Sequence, residues 1–390
     1  MNRILNLFLS ICLLCACVTT PDPSDLSKSS FKNLDDNLFP SYKLFKVETK
    51  DQIFALNEGA KLFVDRIKKP SPSSAVNTPD VKKLVENIFD HTKMGLSYRN
   101  NANSTASETF DNRTANCLSL SIMTFAMAKY AGLDAAFYVV DIPEYWVRQS
   151  GFDVLNGHIN LKISPEKEPN SIVLLSEIVD VDFDPQDIRN QFPRKRIAPD
   201  RALAMFYVNK GAEALMQNSY SKAYAYFREA VLTDPEYSST WTNLGVLFRI
   251  NGYYEAAEKA YRHSLALDES NWTAWENLAY LMNRTDRKNE GNAILNRLKR
   301  LRLHNPFYHQ ILGEKAFEKG EYAKAIRHYR NGLKLDRKKA QILFGLGKSY
   351  YAEGNINKAA HYLSLAARFA PNKDLEKRYQ SKLSLLQTSL

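Results

Sequence analysis

Trp241-Thr-Asn-Leu-Gly245-Val-Leu-Phe-Arg-Ile-Asn-Gly252-Tyr-Tyr-Glu-Ala-Ala257-Glu-Lys-Ala-Tyr261 decides the fold of half of this chain. It reads as two apolar-periodic helices joined at Asn251-Gly252, and its pattern returns every 34 residues. Ala223, Ala257, Ala325 and Ala359 fall at one repeat position, with Gly291 in the remaining copy. Twelve places earlier stand Gly211, Gly245, Ala279, Gly313 and Gly347; four places later stand Phe227, Tyr261, Leu295, Tyr329 and Leu363. Small residues let two antiparallel helices approach closely, and the large ones fill the layer between them. Pro235 and Pro371 close the first and fifth copies.

This pattern resembles the tetratricopeptide repeat, with copies starting at about 204, 238, 272, 306 and 340 and Trp241 and Trp275 at the family's large position in the first helix. One repeat cannot bury its apolar face alone, so the expectation is an all-α solenoid over 201–373 with a capping helix over 374–390. The resemblance implies a protein or peptide ligand on a concave face lined by the first helices. By repeat position that face includes Arg249, Tyr280, Arg284, Phe317, Lys348 and Tyr351, a mixture suited to an acidic or amphipathic peptide. Gly345-Leu-Gly-Lys-Ser349 imitates a phosphate loop, but Ile342 stands where the upstream glycine belongs and the segment lies inside a repeat helix, so no nucleotide site is expected.

The other end reads as an export signal. Arg3 and the apolar run Ile4 to Leu14, over 1–16, are too short for a permanent anchor, which needs roughly 20 residues. Leu14-Cys15-Ala16-Cys17 resembles the bacterial lipobox, which implies lipidation of Cys17; an ordinary secretory signal cleaved nearby is the alternative. Val18 follows, not the aspartate of inner-membrane retention, so outer-membrane attachment facing the periplasm is expected. A Pro-rich stretch begins a flexible tether assigned to 17–47. The formal charge of +10 and pI near 9.2 would suggest nucleic acid in a cytosolic protein; in an exported one it reads as a basic surface, and no nucleic-acid partner is expected. The densest basic stretch, Arg284 to Arg302, sets seven Lys/Arg against Asp286 and Glu290.

Of four cysteines, Cys12 and Cys15 leave with the signal and Cys17 takes the lipid, so Cys117 has no disulfide partner. It begins an apolar helix running to Tyr130 and stopped by Gly132, and a helix N-terminus favours a thiolate. Before it, Asp51 to Ile67 and Asp80 to Met94 read as helices, and Thr105 to Asn116 as aperiodic. After it come strand-like stretches at Ala135 to Asp141, His158 to Ile163, Ile172 to Leu175 and Ile178 to Phe183. The 48–200 region is therefore expected to be α+β.

Asn116-Cys117-Leu-Ser-Leu-Ser, Ala126-Met-Ala-Lys-Tyr-Ala-Gly-Leu, Ile142-Pro-Glu-Tyr-Trp146, Gly157-His158-Ile-Asn and Val181-Asp182-Phe, in that order, resemble the transglutaminase-like cysteine hydrolase superfamily, a papain-related fold. The resemblance implies Cys117 as nucleophile, His158 as base and Asp182 as the residue orienting it, with Asp180 and Asp184 on the same side of an alternating strand. Such a site cleaves or exchanges an amide or isopeptide bond through an acyl-cysteine. The alternative is a buried, inert cysteine in a non-catalytic envelope scaffold that uses its repeats for protein–protein interaction. No His-Glu-x-x-His motif or cysteine pair of the mature chain suggests a metal, and no cofactor is expected.

Overall fold

The computed structural model describes residues 34–68, 81–89, 94–99, 102–149, 152–166, 178–183, 192–371 and 373–387. The signal over 1–16, Cys17, the first part of the tether, His91, the stretch Ile172 to Leu175, and Asp184 lie outside the described residues.

The N-terminal part is helical first. Helices α1 (Lys50–Phe54) and α2 (Glu58–Lys68) replace the single helix expected over 51–67. Asn57 breaks it: its side chain accepts the Ala60 N–H at 2.9 Å and caps the second helix. Helix α3 spans Val81–Phe89. Helix α4 (Ala106–Asn112) lies where no helix was expected. Its signal was present as Thr105-x-x-Glu108, a reciprocal capping box that outweighs weak periodicity. Short strands β1 (Ser97–Tyr98) and β2 (Thr114–Ala115) pair in parallel and lead into α5 (Cys117–Ala131). Helix α5 is buried on nearly every side and ends at Gly132, whose left-handed φ of 80° suits only a residue without Cβ strain.

A four-stranded antiparallel sheet follows, ordered β5-β4-β3-β6, from β3 (Leu133–Gln149), β4 (Phe152–Pro165), β5 (Val179–Val181) and β6 (Arg194–Ile197). Strands β3 and β4 run far past the stretches read from sequence. Pro143 hides the continuation, since proline cannot donate to a ladder; it sits where the register shifts, between Val140 and Tyr145. Strand β6, Arg194-Lys-Arg-Ile197, carries charges suited to a sheet edge and gave no apolar signal.

Five helical hairpins complete the chain: α6 (Pro199–Met216) with α7 (Tyr220–Thr233), α8 (Ser238–Ile250) with α9 (Tyr254–Leu267), α10 (Trp272–Arg284) with α11 (Lys288–Arg302), α12 (Pro306–Glu318) with α13 (Tyr322–Leu335), and α14 (Ala340–Ala352) with α15 (Ile356–Arg368). Helix α16 (Lys373–Gln387) packs on the last. The second to fifth hairpins open at 238, 272, 306 and 340. The first opens five residues before 204, because Pro199 takes a first-turn position where its missing N–H costs nothing.

The glycine–aromatic pairing acts as the spacing suggested. A Cβ on Gly245 would lie 2.4 Å from the buried Tyr261 ring. Gly245→Ala should therefore cost about 1–3 kcal/mol of overpacking, more than the roughly 1 kcal/mol gained in helix propensity. The expected result is a lower thermal midpoint, recovered by adding Tyr261→Leu; a midpoint raised by Gly245→Ala alone would refute this packing.

Two expectations about boundaries are corrected. Residues 34–48 are not a free tether. Phe39 is buried against Tyr224, Phe248 and Tyr253, with ring centroids 5.1, 6.1 and 5.8 Å away. Asp36 accepts from Tyr224 Oη and Arg228 Nε, both at 2.9 Å; against the upward push of burial, these partners hold its carboxyl below the usual range. Glu48 accepts from Tyr226 Oη at 2.8 Å. Nor does the boundary drawn at 200/201 separate two cores. One apolar core joins Ile122, Met127, Phe137, Leu161 and Val181 of the α+β part to Leu203, Phe206 and Tyr226 of the first hairpin.

Candidate functional site

Asn116 fixes the start of α5. Its side chain accepts the Ser119 N–H at 2.9 Å, which leaves Cys117 as the first helical residue. Cys117 is a half-buried thiol packed against the core that β4 and β5 also line. A first-turn position places the thiol where the free N–H groups and the helix dipole favour negative charge.

The sheet supplies the next two residues. Leu161 pairs with Val181, so Asp182 comes one residue beyond β5, beside Asn160 and diagonal to His158. His158 Nε2 and Asp182 Oδ1 are 2.9 Å apart, and the two residues are 3% and 7% exposed. A carboxylate beside one ring nitrogen favours one orientation of the imidazole. The structure also separates the candidate aspartates. Asp180, half-exposed, accepts from Arg194 Nη1 at 2.9 Å and lies 3.8 Å from Lys162 Nζ, so its charge is spent at the sheet edge. Asn160, two residues from His158 on the same strand and the last residue of the Gly157-His158-Ile-Asn stretch, is a buried polar neighbour to which sequence reading gave no role. Its only sequence signal was its place beside the histidine on an alternating strand.

The residues placed on the groove fare differently from one another. Lys348 Nζ sits 4.8 Å from the Phe317 ring centroid and 5.2 Å from that of Phe344, and burial pushes its amine below the ordinary range. Tyr351, one turn on, is 56% exposed. Phe317, Lys348 and Tyr351 make a part-exposed patch with a recessed cation on α12 and α14, while Phe344 stacks on Tyr379 of α16 with ring centroids 4.7 Å apart. Arg284 is exposed at the end of α10. Arg249 Nε donates to Tyr261 Oη at 3.3 Å, and Tyr280 Oη donates to Glu276 at 3.0 Å. The basic stretch from 284 to 302 is not simply solvated: Arg287 pairs with Glu258 at 2.5 Å, and Arg302 is buried between Glu276 and Glu144 of β3.

Two stretches match known family models, residues 238–271 as Tetratricopeptide repeat and 313–354 as TPR repeat. The chain carries tetratricopeptide repeats. Superkiller protein 3 of Schizosaccharomyces pombe is 25% identical over 176 residues, 43% of this chain and 12% of that protein, so this chain spans a small part of that relative's length. An uncharacterized protein of Methanocaldococcus jannaschii is 33% identical over 66 residues, 17% of this chain and 77% of that protein. Among solved structures, YrrB, described as a TPR protein with an unusual peptide-binding site, is 17% identical, with a TM-score of 0.26 over 46% of this chain and 92% of that one.

Proposed function

We propose that this tetratricopeptide-repeat protein is a protein-binding scaffold whose repeats hold a peptide segment of a partner. The observation that carries the reading is the patch of Phe317, Lys348 and Tyr351 on two successive first helices. The rings offer flat apolar area, and a desolvated ammonium gains from an acidic side chain more than an exposed one does. The fitting ligand is an amphipathic peptide with an acidic residue beside an aromatic or aliphatic anchor. Affinity capture from an envelope extract by the full-length chain tests it. Lys348→Glu with Phe317→Ala should lose the partner at unchanged thermal stability; retention of the partner would refute the assigned surface.

A second reading is supported by the buried His158–Asp182 pair. In it the 48–200 region is a transglutaminase-like, papain-related domain acting on an amide or isopeptide bond. The Cys117 thiolate adds to the carbonyl carbon, His158 passes the proton to the leaving amine, and water or a second amine releases the acyl group. The Cys117 backbone N–H would hold the oxyanion, at about 2.7–4 kcal/mol, whereas the Asn116 N–H donates to the Ala102 carbonyl at 3.0 Å. The scaffold and the thiol site are compatible, since the repeats could present the bond to be cleaved.

Both readings place the chain on the periplasmic face of the outer membrane through a lipid on Cys17. Cys17→Ser should leave an unprocessed precursor or a soluble periplasmic protein on fractionation. A mutant that is cut and membrane-bound like wild type would overturn the anchor. One acyl chain binds only marginally, at about 0.8 kcal/mol per buried CH₂, whereas several on one cysteine hold stably.

A further inference from the structure

The register shift in β3 has a destination. Val140 pairs with His158 and Tyr145 with Asn156, so β3 carries four residues where β4 carries one. That slack brings Glu144 onto the repeats. There Arg302, at the end of α11 and 6% exposed, donates from Nε to Glu144 Oε2 at 2.7 Å and from Nη2 to Oε1 at 2.9 Å. Its Nη1 donates to Glu276 Oε2 at 2.6 Å, and Asn305 Nδ2 donates to the Glu144 main-chain carbonyl at 2.8 Å. Carboxylate and backbone of one residue are both read, as a groove reads a bound peptide. Glu276 and Tyr280 lie on α10, a first helix of the kind that lines the groove. The third and fourth hairpins touch little across their seam, and β3 packs against α12 at that point.

The cluster is lopsided in charge. One guanidinium serves two carboxylates, and burial opposes its charge, yet those carboxylates raise its pKa above the ordinary arginine value. Glu276 is fixed on a helix. Glu144 rides on residues outside the paired register, so its departure loosens only the ladder that adjoins them, at Val140–His158 and Tyr145–Asn156. Enclosed ion pairs contribute little net stability but specify partners closely.

We infer that Arg302, Asn305 and Glu276 form a binding site for a glutamate-bearing turn of a partner peptide, that Glu144 fills it in cis, and that a partner's glutamate displaces Glu144. The inference rests on the reading of the repeats as a peptide groove and adds a second site with its own ligand chemistry. Displacement loosens the stretch of β3 that borders His158, so occupancy on the repeats is felt at the His158–Asp182 pair whatever that pair does.

The test uses the full-length chain and the synthetic peptide Asp-Ile-Pro-Glu-Tyr-Trp, the chain's own residues 141–146. Glu144→Gln keeps the side chain's size and the main-chain carbonyl but removes the charge that holds it. It should bind the peptide at least ten-fold more tightly than wild type. The gain should vanish when the peptide's glutamate becomes glutamine, or when Arg302→Met is added. Amide exchange over 154–163 should be faster in Glu144→Gln than in wild type and unchanged in α8 and α9. If Glu144→Gln does not fold, Glu144→Asp, which keeps the charge and shortens the reach, carries the same comparison. Equal peptide affinity for wild type and the folded variant, or no binding by either, overturns the inference. Partner capture through Lys348 and Phe317 would persist in that case, which separates this failure from a failure of the scaffold reading.

Discussion

Arg302→Ala should lower the thermal midpoint more than any other single replacement of a charged side chain discussed above. The guanidinium neutralises two carboxylates that approach from opposite halves of the molecule. Removing it leaves Glu144 and Glu276 facing each other across the space it filled. Breaking a buried pair from one side typically costs about 3–5 kcal/mol, because the orphaned charge remains buried. The side chains of Glu144 and Glu276 are 16% and 29% exposed, so some rehydration places the expected loss near the lower bound. At roughly 2–4 °C per kcal/mol for units of 150–250 residues, that is a fall of about 6–12 °C by calorimetry. The control is Arg302→Met combined with Glu144→Leu and Glu276→Leu, which removes all three charges and should recover most of the midpoint. If Arg302→Ala unfolds within a degree of wild type, the cluster carries no load between the halves.

His158→Ala should slow alkylation of Cys117 by a mild electrophile at neutral pH by roughly ten-fold. A thiol with an ordinary pKa near 8.5 is only about 3% ionised at pH 7, so full activation by a neighbouring imidazole cannot exceed about 30-fold in thiolate fraction. The helix start contributes part of any activation by itself, which keeps the expected factor below that ceiling. Asp182→Asn should fall between wild type and His158→Ala, since the ring keeps a polar neighbour of the same size but loses the carboxylate's charge. Rates are read by mass spectrometry on the intact chain. Equal labelling in wild type and His158→Ala would remove the thiol reading and leave the scaffold alone.

The repeats were legible because their signal is periodic and redundant: a 34-residue spacing of small and large residues fixes both helices of each hairpin. The start of α5 was legible from Asn116-Cys117 and Gly132, a cap and a stop. What escaped depends on contacts distant in sequence. Phe39 reads as a lone aromatic in a polar stretch, and only the rings of Tyr224, Phe248 and Tyr253 make it a docking residue. Pro143 argued against a strand, and only the shifted register shows how a long hairpin accommodates it. Arg302 read as one of seven basic residues on a hairpin; its burial follows from Glu144, far earlier in the chain. Asp182 was named from the resemblance, but that it lies beside His158 while Asp180 pairs with Arg194 waited on the strand partners of each.

The measurement that tests the scaffold reading most directly is photo-crosslinking in intact cells, with one photoreactive residue at position 351 and, separately, one at position 330. Tyr351 lies on the patch beside Lys348, and Arg330 is exposed on the second helix of the fourth hairpin. The account predicts a discrete partner adduct at 351, none at 330, and loss of the adduct when Lys348→Glu is added. The same adduct at both positions, or one at 351 that survives Lys348→Glu undiminished, would contradict it.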